Sequence, residues 1–287
     1  MPDFFAFPSS DGLALLARIW GQPTERLPLV VLPGLTRNAG DFEALARALS
    51  EDEEAPRQVI GFDFRGRGGS AYGPVVTYNP LQEAQDTLKG LEALGISRAA
   101  FLGTSRGGLV MLMLAGVLKR TELFAGALFN DIGPVIETAG LARIAGYVGK
   151  PIPETWPDLV ADLKRAQGFL FPGLTEDGWE RFARQIYRDD AGRPRLAYDA
   201  LLEEAFKAFD PSKPLPDLWP AFETLKDVPS MVIHGALSDI LSATTVEEMG
   251  VRHPGLQVHT VAEEGHAPLL WDAPTQGAIR AFLAPLG

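Results

Sequence analysis

Short apolar runs alternate with helix-like patterns through most of this chain, and that alternation restricts its fold more than any other feature. Residues 28–34 read Pro-Leu-Val-Val-Leu-Pro-Gly, a compact apolar run closed by Pro33-Gly34. Such a run suits a strand buried on both faces better than a half-exposed one. Further strands are predicted at 58–64, 99–103, 124–129, 229–235 and 256–261. Between the first two, Asp41 is placed to cap a helix whose Phe42, Leu45, Ala46 and Leu49 share one face. Asn79-Pro80-Leu81-Gln82 has the shape of a helix start with proline at the first helical position. Leu81, Ala84, Leu88 and Leu91 continue that helix, Gly95 ends it, and a last helix is predicted over 274–283. Strands alternating with helices imply βαβ units, a parallel sheet and right-handed crossovers.

The pattern breaks between residues 135 and 225. Strand signals fade there, and helical patches carry Trp156, Phe169, Phe171, Trp179, Phe182, Tyr187, Tyr198, Phe206, Phe209 and Trp219, punctuated by prolines from Pro151 to Pro220. A length of 287 residues admits two domains as a soft prior. One α/β core over 1–134 and 226–287, interrupted by a helical cap over 135–225, accounts for both observations.

Composition narrows the function. With 37 acidic and 26 basic residues the formal net charge is −11, which repels phosphate backbones and argues against nucleic acid and anionic membrane surfaces as partners. There are no cysteines, so disulfides, thiolate nucleophiles and cysteine metal sites are excluded. The N-terminal residues carry no basic segment leading into an apolar one, and the apolar run 109–118 is about half the ~20 residues of a membrane span. A cytoplasmic protein, monomeric or homodimeric, is expected.

Residues 103–107 read Gly-Thr-Ser-Arg-Gly, a G-x-S-x-G motif between a predicted strand and a predicted helix. In that context the motif makes a sharp turn that lifts Ser105 Oγ above the sheet edge as a nucleophile. A serine nucleophile needs a base and an acid that orients the base. Only 4 histidines compete. His259 falls within a strand, His253 in a solvated turn, and His234 at a strand end as a buried structural residue. His266 follows the last strand and is the expected base. For the acid, Asp239 lies one strand before the His266 loop and is preferred on the order Ser…Asp…His. Asp131, after the strand at 124–129, is its rival.

These residues resemble the α/β-hydrolase superfamily. Asp63-Phe64-Arg65-Gly66-Arg67-Gly68-Gly69-Ser70 is similar to the D-x-R-G-x-G-x-S segment of its branch with a helical cap, most of all to carboxylesterase- and enol-lactonase-like members. The resemblance implies a mostly parallel, eight-stranded sheet flanked by helices, with an inserted cap. It also implies an oxyanion hole from the backbone N–H groups of Leu35 and Arg106. Here Pro33 stands where family members often have histidine, which leaves the backbone donors intact. A serine at position 105, rather than aspartate, disfavours epoxide-hydrolase and dehalogenase chemistry.

The expected activity is therefore cleavage of small-molecule carboxylic esters or lactones through an acyl-enzyme, with no metal and no organic cofactor. C–C bond hydrolysis, a cofactor-free oxygenase or perhydrolase reaction, and a non-enzymatic ligand receptor remain alternatives on the same scaffold. Arg37 and Arg106 are candidates to attract a substrate carboxylate locally, against a long-range field that disfavours anions. Their competing role is pairing with a structural carboxylate such as Asp63 or Asp131. Among the cap aromatics, Trp156 is the substrate-contact candidate, with Phe169 and Phe171 beside it.

Overall fold

The computed structural model describes residues 1–204 and 215–287. Phe206, Phe209, Pro211 and Pro214, counted among the cap punctuation and aromatics, lie outside the described residues. Eight strands form one sheet in the order β1-β2-β4-β3-β5-β6-β9-β10. The strands are β1 (Asp3–Pro8), β2 (Ala14–Trp20), β3 (Leu29–Leu32), β4 (Val59–Asp63), β5 (Ala99–Thr104), β6 (Phe124–Asn130), β9 (Ser230–Gly235) and β10 (Gln257–Val261). β1, β2 and β4 pair antiparallel, and every pairing from β4 to β10 is parallel. Each strand expected from an apolar run is present within a residue or two. The N-terminal pair β1–β2 was not expected, because its sequence alternates weakly. All of β3, β4, β6 and β9 is buried, as parallel strands covered on both faces require.

Helices cover both faces. On one side pack α1 (Glu43–Ser50) and the terminal helix Ala273–Leu283, on the other α2 (Pro80–Ala93) and α3 (Arg106–Leu112). Asn79 caps α2 by accepting from Gln82 N–H, with Pro80 at the first position, and Gly95 follows its end at φ +70°. Asp41 does not cap α1. Asn38 caps the short turn Ala39–Phe42 that precedes it, and Asp41 is released for another contact.

The chain between β6 and β9 holds α4 (Thr138–Tyr147), α5 (Trp156–Gln167), α6 (Glu176–Ile186) and a hairpin of β7 (Tyr187–Asp190) and β8 (Arg193–Leu196). The hairpin was missed in the sequence because its residues are mostly charged and exposed. α5 and α6 enclose a core of their own, in which Phe171, Trp179 and Phe182 meet edge-on or tilted.

Candidate active site

The G-x-S-x-G turn joins β5 to α3 with Ser105 at φ 50° and ψ −110°, a region that favours glycine and costs a serine about 1–3 kcal/mol. The glycines flanking the motif are required by close approach. A Cβ on Gly103 would lie 2.5 Å from Gly108 N, and one on Gly107 would lie 2.0 Å from the carbonyl oxygen of Leu32 in β3. The helix thus starts hard against the sheet, and Ser105 Oγ stands above its edge.

His266 reaches that hydroxyl from the loop after β10, with Nε2 2.8 Å from Ser105 Oγ. Its Nδ1 lies 2.8 Å from Asp131 Oδ2. A carboxylate only accepts, so Nδ1 carries the proton and Nε2 of the neutral ring is free to accept from Ser105. Asp131 is fully buried, one residue beyond β6, and its N–H donates to Ile233 carbonyl. Gly235 N–H donates to its Oδ1 at 2.9 Å and Ser238 Oγ to its Oδ2 at 2.5 Å. Asn130 Nδ2, next along β6, donates to Pro268 carbonyl and holds the His266 loop over the sheet.

Asp239, preferred as the acid in the sequence, does not occupy that place. Arg143 of α4 grips its carboxylate with both Nε and Nη2, at 2.6 and 2.8 Å. Burial acts to raise the Asp239 carboxyl, but the Arg143 bonds outweigh it and hold it below the usual range. Chain order did not separate the rivals, since both aspartates lie between Ser105 and His266. Strand order does. β6 is the immediate neighbour of β5, and Ser105 N–H donates to Asn130 carbonyl at 3.1 Å, so Asp131 stands beside the elbow.

The other histidines hold structural contacts. His234 Nε2 meets Leu241 carbonyl at 3.0 Å, and His259 Nε2 meets Thr275 Oγ1 at 3.0 Å. His253 is buried against Val228 carbonyl rather than solvated, because the segment before β9 packs over its turn.

Leu35 and Arg106 present N–H groups that no acceptor takes up among the described residues. Arg106 opens α3, where the first N–H groups have no intrahelical partner. The Arg106 side chain leaves the site: its Nε pairs with Glu83 at 2.6 Å and Nη2 donates to Tyr78 carbonyl. Glu83, fully buried, also pairs with Arg67 at 3.0 Å, and Arg67 Nε donates to Leu35 carbonyl at 2.9 Å. One buried chain of charges therefore ties the Leu35 turn to the start of α3. Arg67 and Glu83 escaped sequence reading. The signal was present in the D-x-R-G-x-G-x-S stretch, but nothing in it says which backbone its arginines bind.

A cavity of about 140 Å³ opens above Ser105. Its walls combine Leu35, Ser105 and His266 with Ile144, Leu163, Phe171, Phe182 and Ile186 from the segment between β6 and β9. Arg37 lines it, bonded through Nε to Asp41 at 2.5 Å and lying over the Phe182 ring at 5.0 Å. Trp156 does not line it. Trp156 packs in the α5–α6 core, donates Nε1–H to Asp189 at 2.8 Å and carries Arg184 over its ring. Its helical spacing turned it inward among the other aromatics. Phe169 is 62 % exposed at the surface, and of the three aromatics only Phe171 lines the cavity. Among the described residues, no cluster of His, Asp or Glu is arranged to hold a metal, and no helix is long and apolar enough to cross a membrane.

Comparison with known proteins places the chain in a family. Residues 29–281 match the model of the alpha/beta hydrolase family. A 3-hydroxybutyrate-oligomer hydrolase of Cupriavidus necator is 32% identical over 269 residues, 91% of this chain and 89% of that protein. Esterase YbfF of Escherichia coli is 33% identical over 83% of this chain and 85% of its own. The crystal structure of an alpha/beta hydrolase from Novosphingobium aromaticivorans superposes with a TM-score of 0.90 at 38% identity, covering 99% of this chain and 98% of that one.

Proposed function

Because this chain belongs to the α/β-hydrolase family, we propose that it is a serine esterase whose nucleophile, base and acid are Ser105, His266 and Asp131. The observation that carries this reading is the unbroken relay of two 2.8 Å contacts from Ser105 Oγ through His266 to Asp131. In the reaction, Ser105 Oγ attacks the ester carbonyl carbon as its proton passes to His266 Nε2. The carbonyl oxygen becomes an oxyanion and accepts from Leu35 and Arg106 N–H, each such donor contributing about 3 kcal/mol where water is excluded. Collapse breaks the bond to the alcohol, which leaves with the proton from His266. A water then attacks the acyl-enzyme, again losing a proton to His266, and releases the acid and free Ser105. Asp131 holds the ring and stabilises its charged form throughout. The steps call on no metal or organic cofactor.

The substrates we propose are esters or lactones of short acids, with esters of short hydroxy acids first among them. The small cavity favours a short chain. The relative matched over nine-tenths of this chain is named for hydrolysis of 3-hydroxybutyrate oligomers. The test is hydrolysis of p-nitrophenyl butyrate by the native protein and by Ser105→Ala. The variant should lose at least about a thousandfold in kcat. Retention of most of the activity would overturn the proposal.

A further inference from the structure

The geometry points to Arg37 as the group that reads a free carboxylate on the substrate, a few bonds from the scissile ester, and so sets which esters are cleaved well. This rests on the esterase reading and names the substrate chemistry that the reading leaves open. Four observations meet at this residue. Arg37 belongs to the turn that carries the oxyanion donor: its N–H donates to Gly34 carbonyl at 3.2 Å, and its Cγ would lie 3.2 Å from a Cβ placed on Gly34. The side chain therefore starts beside Leu35 N–H, where the reacting carbonyl oxygen binds. It lines the same cavity as Ser105 and His266.

Its guanidinium is also only partly engaged. Nε bonds to Asp41 Oδ2, while Nη1 and Nη2 take no partner among the described residues. The side chain is only 18% exposed, held by Asp41 at Nε and by the Phe182 ring, while the two open nitrogens stay accessible to a ligand. The Phe182 ring beneath the guanidinium plane, 5.0 Å away, leaves the edge of the fork as the direction for a ligand. A planar fork with open donors in a mostly apolar cavity is matched by a carboxylate, which it binds through two parallel hydrogen bonds.

The nearby acids oppose this only weakly. Burial pushes the Asp41 carboxyl up, its Oδ2 is taken by Arg37 Nε, and its Oδ1 is buried away from any water-sized ligand. Asp162, the other acid of the cavity wall, is engaged by Arg165. The net charge of −11 adds no attraction at long range. Selection of an anionic substrate must then come from a short-range contact, and Arg37 is the cavity cation that supplies one.

The test compares two pairs of substrates on the native protein. In one the carboxylate is on the alcohol portion, as in linear 3-hydroxybutyrate dimer against its methyl ester. In the other it is on the acyl portion, as in monoethyl succinate against diethyl succinate. The native protein should prefer the acid over its neutral ester in one pair by about ten- to a hundredfold in kcat/KM, chiefly through KM. The favoured pair tells on which side of the ester the carboxylate lies. Arg37→Met should bring that ratio close to one, and Arg37→Lys should restore part of it, since a lysine keeps the charge and loses the fork. A native ratio at or below one in both pairs overturns the inference without recourse to any variant, as does a ratio unchanged in Arg37→Met. Neutral esters cleaved with Ser105 dependence but without carboxylate preference would leave the esterase reading standing and remove only this one. Failure on every ester would remove the esterase reading itself.

Discussion

Replacing Asp131 by asparagine should abolish most activity while leaving the fold intact, and the structure says why. Gly235 N–H donates to Oδ1 of Asp131, so the asparagine carbonyl oxygen must take that position. Its NH₂ group then falls at the Oδ2 position, 2.8 Å from His266 Nδ1, where it donates instead of accepting. Ser238 Oγ–H loses its acceptor at that position and must turn away, since its oxygen already accepts from Ile240 and Leu241 N–H. The imidazole must move its proton to Nε2, the nitrogen facing Ser105, and can no longer receive the serine proton. The wrong tautomer in a serine triad lowers kcat by about 10⁴, which is ~5.5 kcal/mol of transition-state stabilisation. Asp239→Asn should behave oppositely. It weakens a partly exposed pair with Arg143 and should cost no more than about 1 kcal/mol in stability, with kcat within a few-fold of native. Steady-state hydrolysis of p-nitrophenyl butyrate, with thermal melts as control, separates the two. Near-native turnover in Asp131→Asn with a collapse in Asp239→Asn would refute the assignment.

Two further outcomes follow from the charges around the site. Glu83→Gln leaves Arg67 and the Arg106 guanidinium without their shared carboxylate, and since Glu83 and Arg67 are fully buried the loss should be about 3–5 kcal/mol in urea unfolding, with reduced kcat from a loosened oxyanion turn. Glu264, behind the His266 loop, accepts from Leu269 N–H, and burial pushes its carboxyl up to about 6. The folded state then holds this proton more tightly than the unfolded chain, so the native protein should lose stability as pH rises from about 4.5 to about 6, by up to ~2 kcal/mol from this group. Glu264→Gln keeps an acceptor for Leu269 and removes the ionisation. Its stability relative to native, measured by urea unfolding at pH 4.5 and pH 7, should improve toward pH 7; an unchanged difference would contradict this.

Much of the architecture was legible in the chain, because parallel strands buried on both faces must be short and apolar throughout. The runs before Pro33, at 99–103 and at 124–129 meet that demand and became β3, β5 and β6. The elbow was legible for a related reason: at Gly103 and Gly107 a single methyl would strike backbone, so only glycine fits around Ser105. His266 could be found because few histidines compete and one follows the last strand. The β1–β2 pair and the exposed hairpin β7–β8 left no such mark, since strands that are not buried on both faces tolerate charge.

The sequence by itself therefore determined a parallel sheet, a serine on a strained turn and the histidine that can reach it, each imposed by local sterics or by elimination. Only the tertiary structure decided which carboxylate meets that histidine, because Asp131 and Asp239 satisfy the same chain order and differ in the partners that hold them, Gly235 and Ser238 for Asp131 and Arg143 for Asp239. It also decided where the arginines go. Arg106 is drawn to Glu83, while Arg37 remains in the cavity with both terminal nitrogens open among the described residues. Such choices depend on groups tens to more than a hundred residues apart, brought within 3 Å by the packing of helices and loops on the sheet.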